Sequence, residues 1–152
     1  MFRLGVVSDS HGGLAMVEKV IGHLRGLDAL AHLGDGAGDA RRIAEGANLA
    51  LFQVAGNCDL SRELPGERTE VFSGVRTLLT HGHNYKVKHS LFRLALRARE
   101  AEAALVLYGH THVPAVDTAQ GAVLVNPGAL MDGRYAIIEF RESGPCPILM
   151  RM

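Results

Sequence analysis

The sequence predicts an α/β protein: a four-layer α/β/β/α sandwich of two stacked mixed sheets with helices on the outside. Three observations predict it. The first half alternates short apolar runs with amphipathic ones, a β-α-β-α-β pattern that favours a parallel sheet with right-handed crossovers. The second half consists mostly of paired short strands around Gly-containing turns, with one amphipathic stretch among them. At 152 residues and 47% hydrophobic, the chain suits one domain with one core, residues 1–152, and contains no segment that reads as a linker.

The elements follow in order. Phe2 to Ser8 (FRLGVVS) reads as a buried strand, ended by the polar, Gly-rich turn Asp9 to Gly13. A helix is expected over Gly13 to Gly26, because Leu14, Val17, Val20, Ile21 and Leu24 fall at helical spacing opposite Glu18, Lys19 and Arg25. Asp28 to Leu33 is a second strand, closed by Gly34-Asp35-Gly36. A short helix over Asp39 to Glu45 has Asp39 as its expected N-cap. Asn48 to Ala55 is a third strand, closed by Gly56-Asn57-Cys58-Asp59. Arg68 to Phe72 and Val75 to His81 form a hairpin around Ser73-Gly74. A helix fits Lys88 to Ala103, and Leu105 to Tyr108 is a strand ending at Gly109-His110-Thr111-His112. Val113 to Thr118 pairs with Ala122 to Val125. Asn126-Pro127-Gly128 is a turn, and Tyr135 to Phe140 and Ile148 to Met152 are closing strands.

Composition narrows the function. With 16 Lys+Arg against 16 Asp+Glu, there is no field to attract nucleic acid or an acidic membrane. Aromatics are 5% and Trp is absent, which removes the stacking platforms that single-strand binding needs. The reading is no membrane partner, and nucleic acid only as a small nucleotide substrate. A homo-oligomer remains open. Cys58 and Cys146 stand far apart and make no C-x-x-C pair, so no disulfide framework or thiolate zinc cage is indicated. The apolar N-terminal run stops at Ser8-Asp9, too short for a signal peptide, and a cytoplasmic protein is expected.

The informative pattern is where the polar residues fall. Asp9, Asp35, Asn57, His81, and the pair His110 and His112 each sit just past the end of an apolar strand. Ligands of open α/β sheets bind outside the carboxyl ends of the strands, so five strand ends converge on one crevice. Asp9 and His11 are two apart, as are His110 and His112. In extended backbone, residues i and i+2 point the same way, so each pair is expected to face one ion. Carboxylate, amide and imidazole donors suit Mn²⁺, Fe, Zn²⁺ or Ni²⁺. Seven donors are too many for one ion and about right for two, with Asp35 as the natural bridge. Two metals about 3.5–4 Å apart clamp an in-line displacement at phosphorus.

D-S-H (Asp9 to His11), G-D (Gly34-Asp35), G-N-C-D (Gly56 to Asp59), H-G-H (His81 to His83) and G-H-T-H (Gly109 to His112) occur in this order. In that order the chain resembles the calcineurin-like metallophosphoesterase superfamily, and in its length, its Cys58 and its Asn126-Pro127-Gly128 it looks like the branch of small bacterial and archaeal phosphodiesterases. The resemblance implies that fold, and a binuclear centre of two divalent transition metals, Mn²⁺ first, with Ni²⁺, Fe or Zn²⁺ as alternatives. One ion would be held by Asp9, His11, Asp35 and His112, and the other by Asp35, Asn57, His81 and His110. A hydroxide bridging both would attack a small phosphoester substrate.

Two departures from the resemblance matter. Many relatives have His where this chain has Cys58, and that His assists the leaving group. Its loss tilts the expectation from monoesters to diesters, with His83 as a candidate replacement acid. Ala129 and Gly133-Arg134 also depart from the branch's usual residues after Asn-Pro-Gly. Asp59 reads equally as a residue orienting a ligand or as a turn residue, and Asn126 equally as a donor behind the site or a plain turn. His23, His32 and His89 read as structural or surface residues, and Thr111 as a spacer. Lys86, Lys88, Arg93, Arg97 and Arg99 read as a solvated helix face before a substrate-attracting rim. The competing functions are a phosphomonoesterase and a docking scaffold of the same fold, of which the retromer scaffold subunit is the example. The ligand set discriminates them, since every expected position here is a competent ligand.

Overall fold

The computed structural model describes residues 1–60 and 63–152. Two five-stranded mixed sheets stack face to face with helices outside, as the apolar patterning predicts. Ten strands are described: β1 (Phe2–Val7), β2 (Ala29–His32), β3 (Ala50–Gln53), β4 (Glu67–Phe72), β5 (Val75–Thr80), β6 (Leu105–Leu107), β7 (Ala115–Ala119), β8 (Ala122–Asn126), β9 (Arg134–Arg141) and β10 (Gly144–Arg151). The helices are α1 (Leu14–Leu24), α2 (Ala37–Ala47) and α3 (Phe92–Glu100). The first sheet runs β10-β9-β1-β2-β3 and the second β4-β5-β6-β8-β7.

Alternation along the strands builds the layers, because successive side chains point to opposite faces. In β1, Leu4 and Val6 enter the core between the sheets, while Val7 faces the helices. In β6, Leu105 and Leu107 face inward and Val106 faces α3. The central strands are therefore apolar on both faces, which is why they read as continuous apolar runs. Val17, Val20, Ile21 and Leu24 of α1 and Ile43, Ala44 and Ala47 of α2 cover the first sheet, and Leu94 and Ala98 of α3 cover the second. Each such leucine, isoleucine or valine contributes roughly 1.5–3 kcal/mol by burial.

The parallel strands β1, β2 and β3 share a direction, as do β5, β6 and β8. Their carboxyl ends carry the candidate residues.

Several boundaries differ from the sequence reading. α2 begins at Ala37, and Asp39 is not its N-cap. The Asp39 carboxylate instead accepts from Gly12 N–H (2.9 Å), and Asp59 caps the helix. α3 starts four residues later than Lys88, because the chain first makes a 3₁₀ turn over His83–Tyr85 and Lys86 takes a left-handed φ of 55°. β10 extends back through Pro145 and Pro147, which an edge strand tolerates because its outward N–H groups need no ladder partner. Among the described residues, no helix is long and apolar enough to cross a membrane.

Candidate metal centre

The G-x motifs put glycine where loops meet. A Cβ on Gly56 would lie 2.1 Å from Asp35 Oδ1, and one on Gly109 would lie 2.1 Å from Ser8 Oγ and 2.7 Å from Asp9 Oδ2. The carboxylate-bearing loops can approach only because those side chains are missing.

The backbone carrying the candidates is not extended. Asp9, His11, Asp35, His110 and His112 have φ of 54°, 48°, 59°, 71° and 64°. This is the left-handed region, which costs a non-glycine residue roughly 1–2 kcal/mol. The expectation that i and i+2 face together through an extended segment is therefore corrected. Asp9 and His11 do meet, with His11 Nε2 3.5 Å from Asp9 Oδ1. His110 and His112 separate: His110 Nδ1 lies 3.2 Å from His81 Nε2, whereas His112 Nε2 lies 3.1 Å from Asp9 Oδ1. Strained conformations of this kind concentrate at functional sites, where surrounding bonds over-determine them.

Asp9 and Asp35 are buried at the centre. Asp9 Oδ2 accepts from the Ser8 hydroxyl (2.6 Å) and from His110 N–H (3.1 Å), which leaves Oδ1 facing His11, His81 and His112. Asp35 Oδ1 accepts from Cys58 N–H (2.8 Å), and Oδ2 lies 3.3 Å from His81 Nε2 and 3.7 Å from His11 Nε2. Asp35 thus stands between the two histidine groups.

His81 decides the electrostatics. Its Nδ1 is 2.7 Å from the Leu33 carbonyl, which can only accept, so Nδ1 carries the proton. In the neutral ring Nε2 then presents a lone pair toward Asp9 Oδ1 (3.7 Å) and Asp35 Oδ2 (3.3 Å). Three electron-rich atoms converge, and among the described residues the ion-pair partners of both carboxylates are histidines, with no Lys or Arg. The arrangement's oxygen and imidazole donors suit a divalent transition metal. Asp9, His11 and His112 form one group whose ligand atoms lie within 4.8 Å of one another, Asp9, Asp35 and His81 a second, and His11, Asp35 and Cys58 a third.

Asn57 sits directly before Cys58 on the loop after β3. It is exposed, and its amide lies 3.6 Å from Cys58 Sγ. Cys58 is exposed on a cleft of about 300 Å³ lined also by His11, Gly12, Asp35, Gly36 and Asp59. The Asp35 charge, followed by burial, raises the Cys58 thiol above its ordinary pKa. His83 sits beside the second half, its ring 5.4 Å from that of His81 and 6.1 Å from that of His110. Among the described residues its buried Nδ1 has no hydrogen-bond partner, and burial followed by His81 lowers its pKa, as they also lower that of His110.

The supporting residues were less visible. Asp59 accepts four backbone N–H groups, from Asp35 (2.7 Å), Gly36 (3.0 Å), Ala37 (3.1 Å) and Gly56 (2.8 Å). Burial raises its pKa, but these bonds outweigh burial and hold the carboxyl below its usual range. Asn126 is fully buried, donates to Gly109 O (3.1 Å) and Thr111 Oγ1 (2.9 Å), and accepts from Gly128 N–H (2.9 Å). It fastens the His110–His112 loop, and Thr111 is an anchor there rather than a spacer. His32 is fully buried, and burial pushes its pKa down to about 4 against the opposing pull of Asp59, Asp39 and Asp9. Ser8, whose hydroxyl donates to Asp9 Oδ2, carries one signal in the sequence, a hydroxyl directly before a candidate ligand. Arg97 pairs with Glu67 (2.8 Å) and Glu100 (3.2 Å), so that part of the basic stretch is a structural clamp.

The description "Calcineurin-like phosphoesterase superfamily domain" belongs to the family whose sequence model matches residues 2–142. A Bacillus subtilis protein described as a probable metallophosphoesterase is 29% identical over 127 residues, 82% of this chain and 73% of that protein. A Streptococcus pneumoniae structure described as a predicted phosphoesterase superposes with a TM-score of 0.83 at 30% identity, covering 99% of this chain and 89% of the other. An archaeal phosphodiesterase shares the fold with a TM-score of 0.80 at 19% identity, over 98% of this chain and all (100%) of that one.

Proposed function

This chain belongs to the calcineurin-like phosphoesterase superfamily, and from that membership we propose that it is a metal-dependent phosphodiesterase with a binuclear centre. The observation that carries the reading is the convergence of His81 Nε2 with the Asp9 and Asp35 carboxylates, with no Lys or Arg paired to either among the described residues. Asp9, His11, Asp35 and His112 would hold one divalent ion; Asp35, Asn57, His81 and His110 would hold the other. Asn57 would offer its side-chain amide oxygen from the loop whose Cys58 N–H bonds Asp35 Oδ1. Mn²⁺ is the proposed metal, with Ni²⁺, Fe or Zn²⁺ as alternatives.

When bound, the ions would supply Lewis acidity, lowering the pKa of water toward neutrality and offsetting charge on the phosphoryl oxygens. The chain's own residues supply orientation. Leu33 O fixes the His81 tautomer, Ser8 and His110 N–H hold Asp9 Oδ2, and Cys58 N–H holds Asp35 Oδ1. The 300 Å³ cleft beside His11, Asp35 and Cys58 is the proposed entry for a small substrate. Similarity to the archaeal phosphodiesterase supports the diester preference. So does Cys58, since a thiol is a poorer proton source than the imidazolium that many superfamily members place there, which disfavours monoesters with poor leaving groups.

The test is hydrolysis of paired chromogenic diester and monoester substrates by metal-stripped protein, with Mn²⁺, Ni²⁺, Zn²⁺ or Mg²⁺ restored. Metal-dependent turnover favouring the diester is expected. No turnover together with no stoichiometric metal would leave the docking-scaffold function instead. Replacing the thiol, as Cys58→His, is expected to raise monoesterase activity by about tenfold or more, within the range of positioned acid catalysis. An unchanged diester-to-monoester ratio would refute the role given to this position.

A further inference from the structure

His32 lies fully buried at the carboxyl end of β2, outside the candidate ligand set. Its Nδ1 is 3.2 Å from the Gly34 amide nitrogen, and its Nε2 is 3.1 Å from Ser10 Oγ. A backbone N–H can only donate, so Nδ1 accepts, and the neutral ring carries its proton on Nε2, which donates to the Ser10 hydroxyl. Ser10 stands between Asp9 and His11, and Gly34 immediately precedes Asp35. One buried imidazole therefore bonds to both carboxylate-bearing loops.

The gap it spans has no slack. A Cβ on Gly36 would meet Ser10 Oγ at 2.0 Å and His32 Nε2 at 3.2 Å. Two backbone bonds cross the same gap, Asp9 N–H to Gly34 O (3.0 Å) and His11 N–H to Asp35 O (2.9 Å). Asp9, His11 and Asp35 all sit there in left-handed backbone, which relaxes if the loops part. Asp39, bonded to Gly12 N–H, ties the first loop to α2 and not to Asp35 itself.

We propose that His32 is a positioning residue, an Nε2–H latch that keeps the Asp9–His11 loop in register with the Asp35 loop and so sets the metal affinity of the centre. The inference rests on the metal-centre reading, but its test does not depend on turnover. The wild type is compared with His32→Leu, which removes both bonds, and His32→Gln, whose carboxamide offers an acceptor and a donor on one planar group. Long-range ¹⁵N–¹H correlation is expected to show the Nε2–H tautomer at His32 in the metal-free protein. Amide exchange at Asp9 and His11 is expected to quicken in the Leu variant and to return toward wild type with Gln. Calorimetric titration with Mn²⁺ is expected to show about tenfold or more weaker binding for Leu, recovered largely by Gln.

An Nδ1–H tautomer would overturn the latch. So would a Leu variant with wild-type exchange at His11 and wild-type Mn²⁺ affinity, or a Gln variant no better than Leu. If the Leu variant does not fold, the tautomer and the Gln exchange pattern still decide the matter. If the wild type binds none of Mn²⁺, Ni²⁺, Fe²⁺ and Zn²⁺, the metal-centre reading fails, while the tautomer and exchange results still judge the latch.

Discussion

Asp35→Asn is expected to lower metal-dependent hydrolysis by at least about a hundredfold, since a bound metal supplies several kcal/mol of transition-state stabilisation. The substitution is nearly isosteric and keeps an oxygen for the Cys58 N–H bond at 2.8 Å. What it removes is the charge at Oδ2, the atom between His81 Nε2 (3.3 Å) and His11 Nε2 (3.7 Å). The metal-free variant is expected to be at least as stable as metal-free wild type, because one of two buried facing carboxylates is gone. The separation appears when Mn²⁺ is added. A site that binds only the folded state stabilises it by about 2.7 kcal/mol at a hundred times Kd. Wild type is expected to show that shift in urea unfolding, and Asp35→Asn little of it. A variant with the wild-type rate and the wild-type metal-induced shift would remove Asp35 from the bridging position.

Why Asp35 could be singled out from sequence, and other residues could not, follows from the kind of signal each leaves. Strand-end polar residues are legible because apolar runs in the central strands are long and unbroken, so the first polar residue after each one marks a loop at the same edge. Both sheets point their parallel strands' carboxyl ends the same way, and the rule holds for β1, β2, β5 and β6. The layers were legible for the same reason: Leu4 and Val6 against Val7, and Leu105 and Leu107 against Val106, alternate between two buried faces. β10 was only half visible, since Pro145 and Pro147 look like breakers until the strand is known to be an edge.

Backbone conformation inside the loops was not legible. Nothing in D-S-H or G-H-T-H announces left-handed φ at Asp9, His11, His110 and His112. Extended geometry would send both imidazoles of the second pair to one ion, whereas the observed turns send His110 to His81 and His112 to Asp9. Supporting residues were hidden for a second reason. Ser8 and His32 act through one or two bonds to backbone or to a neighbour, and a lone Ser or His at a strand end has no spacing pattern to betray it, whereas Asn126, which the sequence left even between a donor and a turn, proves to be a donor. His32 did leave one trace, a titratable side chain in an apolar strand, one residue ahead of Gly34-Asp35.

Asp59 is the supporting residue with the largest expected effect on stability. Its two oxygens take four backbone N–H groups: Oδ2 from Asp35 and Gly56, and Oδ1 from Gly36 and Ala37. It therefore caps α2 and clamps the Asp35 loop to the Gly56–Cys58 loop at once. Hydrogen bonds to a charged group contribute about 1.5–3 kcal/mol each in isolation, but this carboxylate is partly exposed and water replaces some of what is lost. Asp59→Ala is expected to cost about 3 kcal/mol in urea unfolding of the metal-free protein. Asp59→Asn is expected to fall between Ala and wild type, because its amide keeps one acceptor and turns N–H toward two of the four donors. The pH dependence has a definite sign. A carboxyl held below its ordinary pKa contributes stability at neutral pH and loses it as pH falls through the folded-state value. The Ala variant should lack that component, so its deficit against wild type should shrink in acid. A constant deficit from neutral pH down through the carboxylate range would show that the contribution does not come from the ionised carboxylate, and an Ala variant with the wild-type unfolding midpoint would show that these loops are held by their backbone contacts alone.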